Sequence, residues 1–132
     1  MKKLLIGVVL VVLLCGCGSS AGGISKEIYS DANITATFKG CVDSFGYPMI
    51  QMWFENKSDH EITVYPIDSS VNDTMVTYTS GAPAVMLPGK SCGQAWGFNQ
   101  QTVGITKASE IKNVEFGLMY DDTRTEVFHI DM

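Results

Sequence analysis

The 132-residue sequence lacks several features by which common functional classes are recognised. It has no apolar run of about 20 residues, the length that a helix needs to cross a bilayer. It has no cluster of Lys and Arg, and 14 acidic residues outnumber nine basic ones. An acidic chain without a basic patch offers no electrostatic footprint for nucleic acid. We therefore predict that nucleic acid is not a partner.

The sequence also lacks the motifs of common catalytic chemistry. No Gly-rich phosphate loop follows a predicted strand. Asp121 and Asp122 are adjacent in sequence, so their carboxylates are expected to point apart and not to form a catalytic pair. Of the two histidines, His60 lies in a predicted turn and His129 lies near residue 132. A Cys–His nucleophile would need a third group to orient the histidine, and the sequence indicates none. We predict a protein that is not an enzyme and uses no cofactor.

The N-terminal residues have the organisation of a secretory signal. Lys2 and Lys3 precede an apolar run at 4–14, which is too short to span a bilayer. The run ends in Leu-Cys-Gly-Cys, which resembles the lipobox of bacterial lipoproteins, with a small residue at the cut and Cys17 as the lipid acceptor. We predict that residues 1–16 are removed as a signal peptide. Lipidated Cys17 then holds the protein on the extracytoplasmic face of the cell membrane, since each buried methylene contributes about 0.8 kcal/mol.

The remaining chain divides into a tether and a single domain. Residues 17–32 are rich in Gly, Ser and polar residues, which predicts a flexible segment. Residues 33–132 suffice for one domain of about 100 residues. Loss of Lys2 and Lys3 takes the net charge from −5 to about −7, so the predicted membrane contact is the anchor and not a basic surface.

Residues 33–132 show the period-two alternation of strands. Strands are expected near residues 33–39, 48–55, 61–68, 75–79, 85–87, 92–98, 114–120 and 128–132. Seven or eight short strands, with turn signals about every 8 to 12 residues, predict an all-β antiparallel sandwich. One segment has a helical character, a short turn at 106–111 that Thr106 could cap.

Two cysteines remain after lipidation of Cys17. An extracytoplasmic pair such as Cys41 and Cys92 indicates a disulfide. Strand parity, however, places Cys92 on the same side as Trp96 and Cys41 on the opposite side, unless Gly40 shifts the phase. The sequence leaves both alternatives open.

Several short segments occur in a familiar order. They are FENKSD at 54–59, ITV at 62–64, SVND at 70–73, PGK at 88–90, IKNVEF at 111–116 and YD at 120–121. This order resembles Gram-positive surface lipoproteins with an immunoglobulin-like domain, similar in fold to secreted mycobacterial antigens. The resemblance implies an immunoglobulin-like sandwich over residues 33–132 and no known catalytic residues. Asp73 departs from the glycine usual after Asn72, so a turn that is not of the tight primed type is expected.

Three apolar side chains are predicted to lie away from the core. Trp53, Tyr65 and Ile67 occupy the strand positions opposite the core face. An exposed apolar patch of this kind is typical of a partner site, but the same residues could complete the second sheet. Both interpretations are compatible with the sequence.

The sequence therefore favours a lipid-anchored, non-catalytic binding or accessory module for an envelope protein or glycan. One alternative is an extracytoplasmic small-molecule or copper carrier, since thioethers bind Cu(I) and the chain contains His129-x-x-Met132. Strand parity places those two side chains on opposite sides, so we predict no metal site. The other alternative is a structural surface antigen.

Overall fold

The computed structural model describes residues 25–132, and the predicted signal peptide and Cys17 lie outside the described residues. The strands are β1 (Lys26–Ser30), β2 (Ile34–Ser44), β3 (Tyr47–Asn56), β4 (Ile62–Val71), β5 (Thr74–Met75), β6 (Tyr78–Ser80), β7 (Ala84–Met86), β8 (Ser91–Phe98), β9 (Asn113–Tyr120), β10 (Thr123–Arg124) and β11 (Phe128–Asp131). A four-residue helix, α1 (Gln100–Val103), and a 3-10 turn at Ala108–Glu110 follow β8. Within residues 25–132 no helix is long and apolar enough to span a bilayer.

The strands form two antiparallel sheets. One sheet has the order β1-β2-β3-β8-β6. The other has the order β10-β9-β4-β5, with β11 beside β9 and β7 beside β4. Side chains from both sheets share one buried cluster, so the sheets pack face to face. The predicted fold class, an antiparallel β-sandwich, is confirmed.

An aromatic cluster holds the two sheets together. Trp96 on β8 is fully buried, and its ring lies 6.0 Å from that of Phe54, 5.0 Å from that of Tyr78 and 5.2 Å from that of Phe116. Phe116 belongs to β9 in the second sheet, so the contact crosses the sandwich. The edge-on arrangement of Trp96 and Phe116, at 84°, is one that aromatic quadrupoles favour.

The turn between β4 and β5 corrects one expectation. The departure from glycine at Asp73 predicted a turn outside the tight primed type. Asn72 and Asp73 instead have φ values of 50° and 66°, both left-handed, as the two central residues of a primed hairpin turn require. Asn72 stabilises the turn from its side chain, because its amide oxygen accepts from the backbone of Lys112 and its amide nitrogen donates to the Glu110 carbonyl.

Two segment boundaries also differ from the prediction. The flexible tether was expected to extend to residue 32, but Lys26–Ser30 forms an edge strand paired with β2. Ile28 and Tyr29 explain this difference, because both pack against the core cluster. The helical turn expected at 106–111 is a 3-10 turn at Ala108–Glu110, and the one α-helical segment in the described chain is α1.

The two ends of the sandwich differ in character. At one end, β2 and β3 stay paired as far as Ser44 and Tyr47 and are joined by two residues. We call this the hairpin end. At the opposite end, residues 57–61 carry the chain from β3 in the first sheet to β4 in the second, and we call this the far end.

Candidate functional site

Trp53 lies on the outer face of the five-stranded sheet. Its neighbours along β3, Met52 and Phe54, are buried, so alternation turns the indole outward, and 46% of the residue is exposed. The ring lies over the backbone of Gly93 on β8. A Cβ at Gly93 would sit 3.3 Å from Cε3 of Trp53, closer than such atoms normally approach. Glycine therefore lets the ring lie flat on the sheet.

A shallow groove of about 340 Å³ surrounds this ring. The groove is lined by Lys39, Gln51, Met52, Trp53, Gly93, Gln94 and Ala95. Thr37 on β2 pairs directly with Trp53 and adds a half-buried hydroxyl. Apart from Lys39, the lining residues are neutral. We call this surface the Trp53 face.

The structure separates the three residues predicted to form one partner face. Trp53 lies on β3 of the first sheet, whereas Tyr65 and Ile67 lie on β4 of the second. Tyr65 is 45% exposed on the outside of that second sheet, where it pairs with Met119. The two aromatic rings are therefore on opposite sides of the sandwich, because residues 57–61 cross its far end. The predicted face is wrong as a single surface.

Ile67 has a packing role instead. It is half-buried and lies beside Gly117 on β9, where an added Cβ would be 3.2 Å from its Cγ1. The β4–β9 register shifts between Ile67 and Ser70, and Asp68 has a left-handed φ of 50°. This irregularity follows Pro66, whose missing N–H predicts an edge or bulge.

The hairpin end exposes an aromatic pair that the sequence analysis did not single out. Phe45 is 98% exposed, and Tyr47 is 58% exposed. Phe45 has a φ of 52° and Gly46 one of 82°, so the turn places a bulky residue in the left-handed region. Such a residue is uncommon there, and strained backbone of this kind is concentrated at functional sites. A signal was present in the sequence, since the turn at 43–46 contains a large apolar residue before glycine.

A cleft of about 380 Å³ adjoins this pair. Its lining is neutral: Tyr47, Met49, Thr79, Ser80, Gly97, Phe98, Asn99, Gln100 and Gln101. Asn99 caps α1 by accepting from the backbone N–H of Gln101, which fixes the amide-rich rim. The Oε1 atom of Gln100 is buried without a hydrogen-bond partner in the described part of the chain. The cleft therefore offers aromatic and amide groups to a neutral molecule.

No family model and no curated protein matches this chain. Among solved structures, it is similar to the GAE domain of GGA2p from Saccharomyces cerevisiae, with a TM-score of 0.49, 12% identity, and coverage of 83% of this chain and 96% of that one. It is also similar to the yeast GGA1 GAE domain, with a TM-score of 0.49, 8% identity, and coverage of 83% and 98%. The likeness is one of fold, and no functional conclusion follows from it. The resemblance to surface lipoproteins stays a prediction.

The two histidines are exposed and paired with carboxylates. The Nε2 atom of His60 lies 2.8 Å from Oδ2 of Asp121, and its Nδ1 atom lies 3.2 Å from Oδ1 of Asp59. These hydrogen bonds raise the pKa of His60 above its ordinary value. The Nδ1 atom of His129 lies 2.7 Å from Oε2 of Glu115, and its Nε2 atom lies 2.9 Å from Oδ1 of Asp131. The pKa of His129 is raised by these hydrogen bonds in the same way. Both ring nitrogens of each histidine are thus engaged with carboxylate oxygens.

The soft side chains of the copper alternative lie apart from His129. The sulfur of Met132 is 4.0 Å from the Cys41 thiol instead. Burial raises the pKa of that thiol to about 12, which keeps it protonated and disfavours the thiolate that a metal would need. Within residues 25–132 no group of three His, Cys, Asp or Glu side chains is arranged to hold a metal ion.

Cys41 and Cys92 are both free. The β2–β3 register shifts between Phe38 and Gly40, and Gly40 has a φ of 100°, so the phase change that the sequence left open does occur. Both thiols consequently pack against the core cluster. They are nevertheless far apart, because β3 lies between their strands and they pair with Ile50 and Phe54, four residues apart along it. A disulfide needs Cα atoms within about 7 Å, so the structure does not bring these cysteines together.

Proposed function

We propose that this protein is a lipid-anchored, extracytoplasmic, non-catalytic binding module of the bacterial cell surface. Its binding site is the Trp53 face. The observation that carries the proposal is the position of the indole, 46% exposed over Gly93 on the outer face of the five-stranded sheet. A large exposed aromatic with small neighbours is the usual anchor of a binding surface.

The anchor rests on the sequence. Gly16 supplies the small residue at the cut, and Cys17 supplies the thiol for the acyl chains. Eight residues, 18–25, lie between Cys17 and the first residue of β1, so a domain anchored at Cys17 would lie close to the membrane. Two or three acyl chains would hold a domain of this size firmly, whereas one chain would not.

The chemistry of the Trp53 face favours a glycan over a protein. The apolar face of a sugar ring packs against an aromatic ring, and its hydroxyl groups need neutral donors and acceptors around it. Gln51 lies two residues from Trp53 on the same side of β3, and Thr37 lies directly opposite Trp53 on β2. A few polar groups around an apolar platform would fix the orientation of such a ligand.

The anchor is tested by substitution of the acceptor. We expect Cys17→Ser to abolish incorporation of labelled palmitate and to release the protein from pelleted membranes. Cys15→Ser is the matched control, because Cys15 would require cleavage after Leu14, a residue too large for the peptidase, and it should keep both label and attachment. Equal attachment of the Cys17→Ser protein would refute the anchor.

The binding site is tested with two aromatic substitutions of matched exposure. A photo-crosslinking residue in place of Lys39, an exposed residue that lines the groove, should capture an envelope component in intact cells. Trp53→Ala should reduce capture roughly tenfold or more, as for a hot-spot aromatic, whereas Tyr65→Ala on the opposite side should leave it unchanged. If Tyr65→Ala lost capture and Trp53→Ala kept it, the binding site would lie on the second sheet instead.

The class of ligand is resolved in the same experiment. An adduct that glycosidases degrade and proteases leave attached supports the glycan, and the reverse identifies a protein. Intrinsic fluorescence provides an independent reporter in solution, because Trp96 is fully buried and Trp53 is half-exposed. A spectral shift on addition of isolated wall polysaccharide therefore reports on Trp53.

A further inference from the structure

The side chain of Phe45 contributes almost nothing to packing within the domain. Its side chain is 98% exposed, and its φ of 52° is one that asparagine or glycine adopts more readily. Keeping a bulky apolar residue there costs both backbone strain and apolar exposure. The turn alone therefore gives no reason for a phenylalanine, and contact with something outside the domain does.

The hairpin presents this residue rigidly. Backbone pairing between β2 and β3 continues to Ser44 and Tyr47, so only Phe45 and Gly46 form the turn. The adjacent strands stop earlier, because β1 last pairs at Phe38. On the other side, β8 pairs no further than residue 49 of β3. The tip thus extends past the strands on both sides.

The chain enters the domain toward the same end. β1 runs antiparallel to β2 with Lys26 opposite Phe38 and Ser30 opposite Thr35, so the chain before β1 leads toward the hairpin end. From the level of Phe38, the tip lies about 20 Å further along β2, at about 3.3 Å per residue.

The length of chain before β1 matches this distance. Ser25 lies eight positions after Cys17 in the sequence. A flexible segment of that length has a typical reach of about 16 Å, and fully extended it spans at most about 28 Å. An anchor at Cys17 therefore brings the hairpin tip to the level of the bilayer surface.

The tip also has the chemistry of a membrane-interface element. Ser44, Phe45, Gly46 and Tyr47 carry no charge, and Tyr47 follows Phe45 as the amphipathic ring that prefers the head-group region. The nearest acidic residue along the chain, Asp43, is exposed, and its carboxylate accepts a 2.8 Å hydrogen bond from the backbone N–H of Ala108, which ties it to the 3-10 turn. The net charge, about −7 once Lys2 and Lys3 are removed, gives no attraction to anionic lipid, so apolar insertion would drive the contact.

We propose that the Phe45 tip of the β2–β3 hairpin inserts into the outer surface of the membrane that holds the lipid anchor. This inference rests on the proposed anchor at Cys17. Insertion gives the domain a fixed orientation, with the hairpin end at the bilayer and the far end outward. The Trp53 face then stands beside the membrane and is open to the envelope.

The test compares the lipidated full-length protein with and without zwitterionic vesicles by hydrogen exchange. We expect the amides of residues 43–47 to exchange roughly tenfold more slowly on vesicles. Phe45→Asn should abolish this protection, and its fold should be retained because asparagine tolerates positive φ. Leu87→Asn is the matched control, since Leu87 is an exposed apolar residue at the far end and its loss should change nothing.

The same measurement on an artificially anchored chain separates this inference from the lipid anchor. Here a hexahistidine at position 17, held by nickel-chelating lipid, replaces the acyl chains. Protection at 43–47 in this form supports insertion even if Cys17 is not lipidated in cells. Unchanged exchange on vesicles, or protection that persists in Phe45→Asn, would overturn the inference. Protection that appears without vesicles and rises with protein concentration would also overturn it, because a second copy would then cover the tip.

Discussion

Replacement of Trp96 by alanine is expected to lower the free energy of unfolding by about 3–5 kcal/mol, the range for removing a large aromatic from a core. The side chain is fully buried and contacts rings from both sheets. A domain of this size has a total stability of about 5–15 kcal/mol, so the variant should unfold at a much lower denaturant concentration. Urea unfolding followed by far-UV circular dichroism measures the change.

Trp53→Ala provides the matched control, because it removes the same side chain from the opposite face of the same sheet. About half of Trp53 is already exposed, so its removal should cost less than about 2 kcal/mol. A loss as large as that for Trp96 would show that Trp53 is a core residue. The Trp53 face would then no longer be a candidate binding surface.

Strand alternation explains why this distinction could be predicted from the sequence. Trp96 and Phe98 share one parity on β8 and are both buried. The strand expected at 114–120 shows the same alternation, because Val114, Phe116 and Leu118 of β9 are fully buried. Period-two alternation encodes which face a side chain occupies, because successive residues of a strand point to opposite sides.

The rule fails where the backbone changes phase or the chain changes sheet. The bulge at Gly40 reversed the parity of Cys41, and the sequence could not show whether it occurs. Trp53 and Tyr65 were assigned to one face because both occupy strand positions opposite the core face. Consecutive strands can nevertheless belong to different sheets, and this depends on contacts between residues distant in sequence.

The candidate site was predictable in part for the same reason. Trp53 lies on the side of β3 opposite the buried Met52 and Phe54, which agrees with one of the two interpretations that the sequence left open. Phe45 was missed, because a turn residue has no period from which its exposure can be inferred. Its exposure is evident in three dimensions, where the turn and the exposed ring of Tyr47 lie at the hairpin end of the sandwich.

At the far end, Asn56 is a fully buried polar residue that connects two segments. Its amide nitrogen lies 2.8 Å from the carbonyl oxygen of His60, 3.0 Å from that of Met86 and 3.2 Å from that of Leu87. Its amide oxygen accepts from the backbone N–H and the hydroxyl of Ser58, at 2.9 and 2.6 Å. One side chain thus forms hydrogen bonds with backbone groups of the turn at 57–61 and with backbone carbonyls at the end of β7.

Asn56→Asp should therefore destabilise the domain by about 3–5 kcal/mol at neutral pH, because it replaces a buried donor with a buried charge that faces three carbonyl oxygens. This site raises the pKa of the introduced carboxyl in the folded state, so the folded variant binds a proton more readily than the unfolded chain. The loss should consequently be smaller at pH 4 than at pH 7. Asn99→Asp is the matched control, since that side chain caps α1 as an acceptor only and should change stability by less than about 0.5 kcal/mol. Urea unfolding of the variant and of the unsubstituted protein at both pH values measures the loss of stability. An equal loss at pH 4 and pH 7 would mean that position 56 is open to solvent.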